Sequence, residues 1–278
     1  MRLGGPVFID SEDPEEIARA HRALNYRAGY CPHVELEDAA RIRAIREAFA
    51  KHDVVIGEVG VWNNLLDADA QKRKANLEAM KRALALADAV GALCCVNIAG
   101  SRNPERWAGP DAGNLMQDSF DQIVANARGI IDEARPKRAK LTFEMMPWCL
   151  PDSADSYLDL IKAIDRPGFA VHLDIVNIIN SPRRYFDTTS VIRECFAKLG
   201  PHILGCHLKD IRLQDNLTTH LDEVMVGQGG FDITTYLLEA EKLPQQPPVL
   251  LEHLQTAEEY EQARKYIVGL AKEIGVGL

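Results

Sequence analysis

No two of the six cysteines form a CxxC pair, and most of Cys31, Cys94, Cys95, Cys149, Cys195 and Cys206 lie inside apolar runs. Their simplest role is that of reduced, small hydrophobes. Long hydrophobic runs are missing as well. No uninterrupted apolar stretch reaches the roughly 18 residues of a membrane span, and Met1 to Val7 has no signal-peptide apolar core. A cytoplasmic protein is therefore expected. Basic charge is in short supply: 32 Lys and Arg stand against 41 Asp and Glu, a net charge of -9. Nucleic acids and anionic membranes need a basic footprint, so neither is an expected partner, and a small molecule fits better.

What is present is a regular alternation over 278 residues with 46% hydrophobic content, enough for one domain spanning residues 1–278. A strand is predicted over Pro6 to Ile9, then a helix opened by Asp13 and Pro14. A second strand is expected over Tyr26 to Cys31, a helix from about Glu37 to His52, and a third strand over Val54 to Val61. Leu77, Met80, Leu84, Ala87 and Val90 recur at helical spacing until Gly91 ends the helix. Leu93 to Ile98 reads as strand four. The polar stretch beyond it, with Pro104, Trp107, Gly109, Pro110 and Gly113, is longer than a minimal connector and suits a loop over a site. Thr256 and Glu259 make a capping box for the closing helix.

Eight strands alternating with eight helices predict a (β/α)8 TIM barrel, an α/β fold. The rival, a doubly wound open sheet, would more naturally carry a nucleotide-binding glycine turn after the first strand, and there is none.

The apolar runs of the second half share one construction. Leu141-Thr142-Phe143 delivers Glu144 before Pro147, Ala170 to Leu173 delivers Asp174, Ile203 to Cys206 delivers His207, and Val249 to Leu251 delivers Glu252. In a parallel barrel the C-terminal strand ends share one mouth, so these four side chains converge without being close in sequence. Three carboxylates and one imidazole form an oxygen-rich donor set for a divalent cation. Mn2+ is the first choice, with Mg2+ or Co2+ as alternatives. His172, two residues before Asp174, faces one layer deeper and reads as a hydrogen-bonded core histidine. His33 and His253 flank strand ends and are candidates for supporting donors.

The order Glu144, Asp174, His207, Glu252 on strands five to eight resembles the xylose-isomerase-like TIM barrels of the sugar phosphate isomerase and epimerase superfamily. The likeness is to the group holding ketose 3-epimerases and inosose isomerases. Arg212, five residues beyond His207, and the glycine turn Gly227-Gln228-Gly229-Gly230 add to it. The resemblance implies Glu144 and Glu252 as an acid/base pair as well as metal ligands, with Asp174 and His207 as ligands only. Candidate substrate contacts are Arg212 and Asn177, at positions the resemblance singles out, Lys209, which should share a strand face with His207, and Trp107, near a strand end. Asn177 and Leu150 stand where the ketohexose epimerases usually carry a His and a second Glu, so the ketohexose substrate does not carry over with the metal site.

A proton beside a carbonyl is weakly acidic, and its removal needs a Lewis acid on the oxygen and a carboxylate base. The chain is thus expected to isomerise or epimerise a keto-sugar or keto-polyol. The alternative is a lyase or dehydratase that eliminates a leaving group from a 3-keto-glycoside, C-glycosides included, in some cases with a partner subunit. A homo-oligomer is expected, a hetero-oligomer being the alternative. Trp62, Trp107 and Trp148 lie near strand ends, where they either pack loops or stack on a sugar ring or an aromatic aglycone. Arg183, Arg184 and the glycine turn are candidate phosphate contacts.

Overall fold

The computed structural model describes residues 1–278. β1 (Arg2–Gly4), β2 (Ala28–Tyr30), β3 (Val55–Gly60), β4 (Cys94–Asn97), β5 (Lys140–Glu144), β6 (Phe169–Leu173) and β7 (Ile203–Leu208) are seven of the eight barrel strands. A hairpin, β8 (Asp210–Gln214) and β9 (His220–Val224), follows, and β10 (Pro248–Leu251) is the eighth. The barrel closes in the order β1-β10-β7-β6-β5-β4-β3-β2. Between the strands run α1 (Pro14–Ala23), α2 (Ala39–Lys51), α3 (Ala70–Val90), α4 (Gln117–Ala134), α5 (Ala154–Ile164), the short α6 (Pro182–Tyr185), α7 (Thr188–Leu199) and α8 (Ile233–Glu241), with α9 (Ala257–Ile274) last.

The strands are parallel and their consecutive residues are buried on both faces, as throughout β4, β6 and β10. This is the condition of a sheet that helices cover outside and side chains fill inside. It also explains why the apolar runs showed no alternation. The amphipathic α3 buries Met80, Leu84, Ala87 and Val90, and Gly91 ends it at φ 83°. The Thr256–Glu259 capping box is present, and no helix is long and apolar enough to cross a membrane.

One expectation needs correction, and one segment carries more structure than the sequence pattern shows. The first strand is Arg2–Gly4 rather than Pro6 to Ile9. Leu3 is buried and pairs with Val249, and a side chain on Gly4 would strike the Ala28 carbonyl oxygen, so this short segment slots against β2 and β10. The more apolar Phe8 lies beyond the strand end and packs on Tyr260 of α9, ring centroids 5.6 Å apart. The segment after His207 is not a plain loop but the antiparallel β8–β9 hairpin, with Asp210 opposite Val224 and Gln214 opposite His220.

One carboxylate closes the base of that hairpin. The buried Asp210 accepts from the N–H groups of Ile211 (2.8 Å), Gly227 (2.9 Å), Gly229 (2.8 Å) and Phe231 (3.1 Å). Gly229 has to be glycine, because a Cβ would lie 2.2 Å from Asp210 Oδ1. The glycine turn's N–H groups at Gly227 and Gly229 are thus taken by Asp210, which leaves them nothing to offer a phosphate. Asp210→Ala is expected to destabilise the protein by about 2–4 kcal/mol, since four amides lose their acceptor. An unchanged thermal midpoint would show that water replaces the carboxylate at no cost.

Candidate metal centre and cavity

Tyr157 of α5 sets the ends of β5 and β6. Its buried hydroxyl donates to the Phe143 carbonyl (2.6 Å) and accepts from the N–H groups of Phe143 (3.2 Å) and His172 (3.1 Å). Glu144 and Asp174 follow within two residues. Glu252 ends the run of β10, where Leu250 pairs with His207 of β7. Ligand atoms of Glu144, Asp174, His207 and Glu252 accordingly lie within 4.8 Å of one another, all buried except the half-buried Glu252. His207 Nδ1 faces this group, at 3.1 Å from Glu252 Oε2, 3.5 Å from Glu144 Oε1 and 3.9 Å from Asp174 Oδ2.

Lys209 is the cation already present. Its Nζ lies 2.6 Å from Asp174 Oδ2, 3.3 Å from Glu252 Oε2 and 3.3 Å from Glu223 Oε1, and it donates to Asn177 Oδ1 at 2.9 Å. The Asn177 amide donates in turn to Glu144 Oε1 (3.0 Å) and to the Met145 carbonyl (3.0 Å). Asn177 thus bridges the ammonium and the first carboxylate.

The electrostatics are those of crowded acids. Burial pushes the Asp174 carboxyl well above the ordinary range against the pull of Lys209, and the neighbouring Glu144 adds to the rise. Burial acts the same way on Glu144 and Glu252, but His207 chiefly, with Lys209, holds both below the usual value. Burial opposes the charged form of His207, yet Glu58 and Glu252 raise it well above an ordinary imidazole. Asp174, Glu144 and Glu252 crowd one ammonium and one imidazole, an excess of acid that a bound divalent cation would offset. Asp174 Oδ2, His207 Nδ1 and Glu252 Oε2 are buried and accept or donate no well-formed hydrogen bond. The residues fit a divalent metal with carboxylate and imidazole ligands.

Beneath the four ligands lies a contact that the strand-end pattern did not select. Glu58 of β3, 2% exposed, places Oε2 at 2.7 Å from His172 Nε2, a hydrogen bond, and 3.3 Å from His207 Nε2, a charge contact. Burial pushes Glu58 up, but the His207 and His172 imidazoles hold it down at about 2. His172 is therefore the core histidine expected, and the Glu58 carboxylate draws the Nε2 edge of His207 toward itself while Nδ1 meets the other carboxylates. A lone Glu inside Val54 to Val61 is the same signal as Glu144 in its strand, and it was there to be read. Glu58→Gln is expected to weaken divalent-metal binding about 10–100-fold, measured by calorimetric titration. Unchanged affinity would mean that His207 is held by its packing alone.

The mouth opens into a cavity of about 1050 Å3 that Glu144, Glu252, Asn177 and Trp107 line. Glu223 of β9 also reaches it, and His253 Nδ1 sits 2.8 Å from Glu223 Oε2. Glu223 belongs to the hairpin that the sequence pattern missed. Arg212 lies on the exposed face of β8 with its guanidinium on the Gln228 carbonyl, outside the cavity wall. Arg184 donates to the Ile178 carbonyl at 2.7 Å. His33 is exposed and faces Glu35, away from the ligands.

Fold and site together define a TIM barrel with a buried candidate metal centre at its C-terminal mouth. The model of the xylose isomerase-like TIM barrel family matches residues 19–269, and the chain belongs to that family. No curated protein sequence matches it. Among solved structures, a xylose isomerase-like TIM barrel protein from Mycobacterium smegmatis in complex with magnesium is 19% identical, covering 94% of this chain and 88% of its own, at a TM-score of 0.67. A D-psicose 3-epimerase is 14% identical over the whole of both chains, TM-score 0.69. The 3-keto-D-glucoside 4-epimerase of E. coli is 12% identical, covering 98% and 99%, TM-score 0.68. At these identities the likeness establishes the fold.

Proposed function

We propose that this protein is a divalent-metal-dependent isomerase or epimerase of a keto-sugar or keto-polyol, with Glu144 and Glu252 moving the proton. The observation that carries this reading is a division among the four ligands. Glu144 and Glu252 line the cavity, whereas Asp174 and His207 are buried and do not. Two carboxylates can therefore touch a substrate carbon while the other two residues hold the ion. Mn2+ is the metal we favour, Mg2+ and Co2+ suiting the same donors, and when bound it supplies the Lewis acid that makes a proton beside a carbonyl acidic.

One glutamate takes the proton from the carbon and the other returns one, the two exchanging roles for the reverse reaction. Asn177, held between Lys209 and Glu144, presents its amide to a substrate hydroxyl with its orientation already set. Lys209, 3.3 Å from Glu252, favours the ionised form of that carboxylate and so helps to keep the base ready. The size of the cavity favours a second reading, in which loss of the same proton expels a leaving group from a 3-keto-glycoside.

The test is NMR in D2O with ketoses, inososes and 3-keto-glycosides, using Mn2+-loaded and chelator-stripped protein. Metal-dependent deuterium uptake together with a new stereoisomer is the expected result. Release of an aglycone moves the assignment to elimination. Exchange that survives complete chelation, or no exchange on any compound, overturns the proposal.

A further inference from the structure

The chain has three tryptophans, and all three line the one cavity above the candidate metal centre. Trp62 follows β3, Trp107 lies in the loop after β4, and Trp148 follows β5, so they stand on one arc of three adjacent strands. They are 45%, 47% and 38% exposed. Neither loop packing nor the core explains so much open indole in one place. Two of them are fixed in position. Trp148 Nε1 donates to the Ala108 carbonyl at 2.8 Å, which ties its polar edge to the neighbouring loop and leaves the ring otherwise free. Trp62 lies against Gly60, where a Cβ would come within 3.0 Å of its Nε1.

Around this arc the wall is completed by Ile98, Met146, Pro147 and Val176, while Glu252, His253 and Glu223 come from the β10 and hairpin side. The cavity is thus two-sided, with acids and amide at one end and bare aromatic surface along the other. Its volume, about 1050 Å3, stands at the upper end of the roughly 300–1,000 Å3 of pockets that enclose drug-sized ligands. A monosaccharide at the ligands would leave the tryptophan arc facing water. The arc offers mainly indole faces, with Trp148 Nε1 already committed to the Ala108 carbonyl, and a flat aromatic ring gains by stacking on such faces without needing hydrogen-bond partners of its own.

We propose that the substrate is bipartite: a keto-polyol head at Glu144 and Glu252, and a flat aromatic substituent held against Trp62, Trp107 and Trp148. The substrate class is an aryl glycoside bearing a ketone on its sugar. This rests on the reading of the site as a keto-sugar enzyme but concerns the opposite end of the cavity, so the two can fail separately.

Because every tryptophan of the chain lines this cavity, fluorescence excited selectively at tryptophan reports on it. The experiment titrates the full-length protein, Mn2+-loaded and chelator-stripped, with phenyl β-D-glucopyranoside and with methyl β-D-glucopyranoside. Neither carries a ketone, so neither reacts. The phenyl compound is expected to bind at least about tenfold more tightly than the methyl compound and to shift the emission, with or without metal. Trp107→Ala and Trp62→Ala are each expected to weaken the phenyl compound about fivefold, with Mn2+ affinity unchanged as the check on folding. Equal affinity for the two glucosides, no binding of either at millimolar concentration, or Trp variants that keep the phenyl preference would each overturn the proposal. If the aryl preference holds while deuterium exchange fails on every ketone, the aromatic subsite stands and the proton-transfer reading falls. If exchange proceeds on bare ketoses and the preference is absent, the reverse is true.

Discussion

Glu144→Gln and Glu252→Gln are each expected to lower proton exchange on the true substrate by about 10²–10⁴-fold, the contribution of a positioned acid or base. Glutamine keeps the shape and one oxygen donor but cannot accept the proton. Both residues are also candidate ligands, so a loss of activity through a lost metal has to be separated from loss of the base. Calorimetric titration of each variant with Mn2+ separates the two causes: a variant that still binds the ion and has lost exchange has lost its base. The two glutamates are also distinguishable from one another. In an epimerase both substitutions abolish inversion at carbon, because one residue takes the proton from one face and the other supplies one to the opposite face. In an elimination, exchange survives loss of the residue that serves only the leaving group. Full exchange in either variant would remove that residue from the acid/base pair.

Lys209→Met carries the second large effect. Lys209 is 2% exposed and touches Asp174, Glu223 and Glu252. Burial alone would depress its ammonium, but Asp174, Glu252, Glu144 and Glu223 together hold it well above the ordinary lysine range. Removing it takes from the buried Asp174 its nearest positive partner and weakens the balance of Glu252 and Glu223, a change expected to cost the metal-free protein about 3–5 kcal/mol. Saturating Mn2+ supplies the missing charge, so most of the loss is expected to vanish in the loaded variant. Thermal melts of wild type and variant, each with and without Mn2+, give the four values needed. An equal destabilisation in both states would show that Lys209 packs rather than balances charge.

The barrel and the convergence of its four strand-end side chains were legible because a strand buried on both faces has no room for a lone polar residue without a purpose. Glu144, Asp174 and His207 stand out against Val, Leu and Phe for that reason. Glu58 met the same criterion and was passed over, since β3 does not belong to the second-half series that drew attention. Glu223 carried no such contrast. It sits in His220 to Val224, whose mixed pattern is half-exposed and whose partner strand is intelligible only once Asp210 is seen clamping the turn. The first strand was misplaced because three residues with one hydrophobe, Leu3, pair better than the more apolar Val7, Phe8 and Ile9, a matter of register with β10 and of a glycine beside Ala28 that local hydropathy does not encode. Arg212 was drawn in by its spacing from His207, but on a two-stranded ribbon successive side chains point to opposite sides, and this one points out.

The clamp at Asp210 makes the hairpin a removable cassette. Its tip around Leu217 is fully exposed and bears none of the barrel's packing, while its base is sealed by a single side chain one residue beyond Lys209. Lengthening or replacing residues 214–220, short of Leu221, which packs on the core, would leave the charge balance of the mouth in place and change what the far wall presents to a ligand. Diversification of this scaffold, by nature or by design, has there a segment to exchange without refolding the rest.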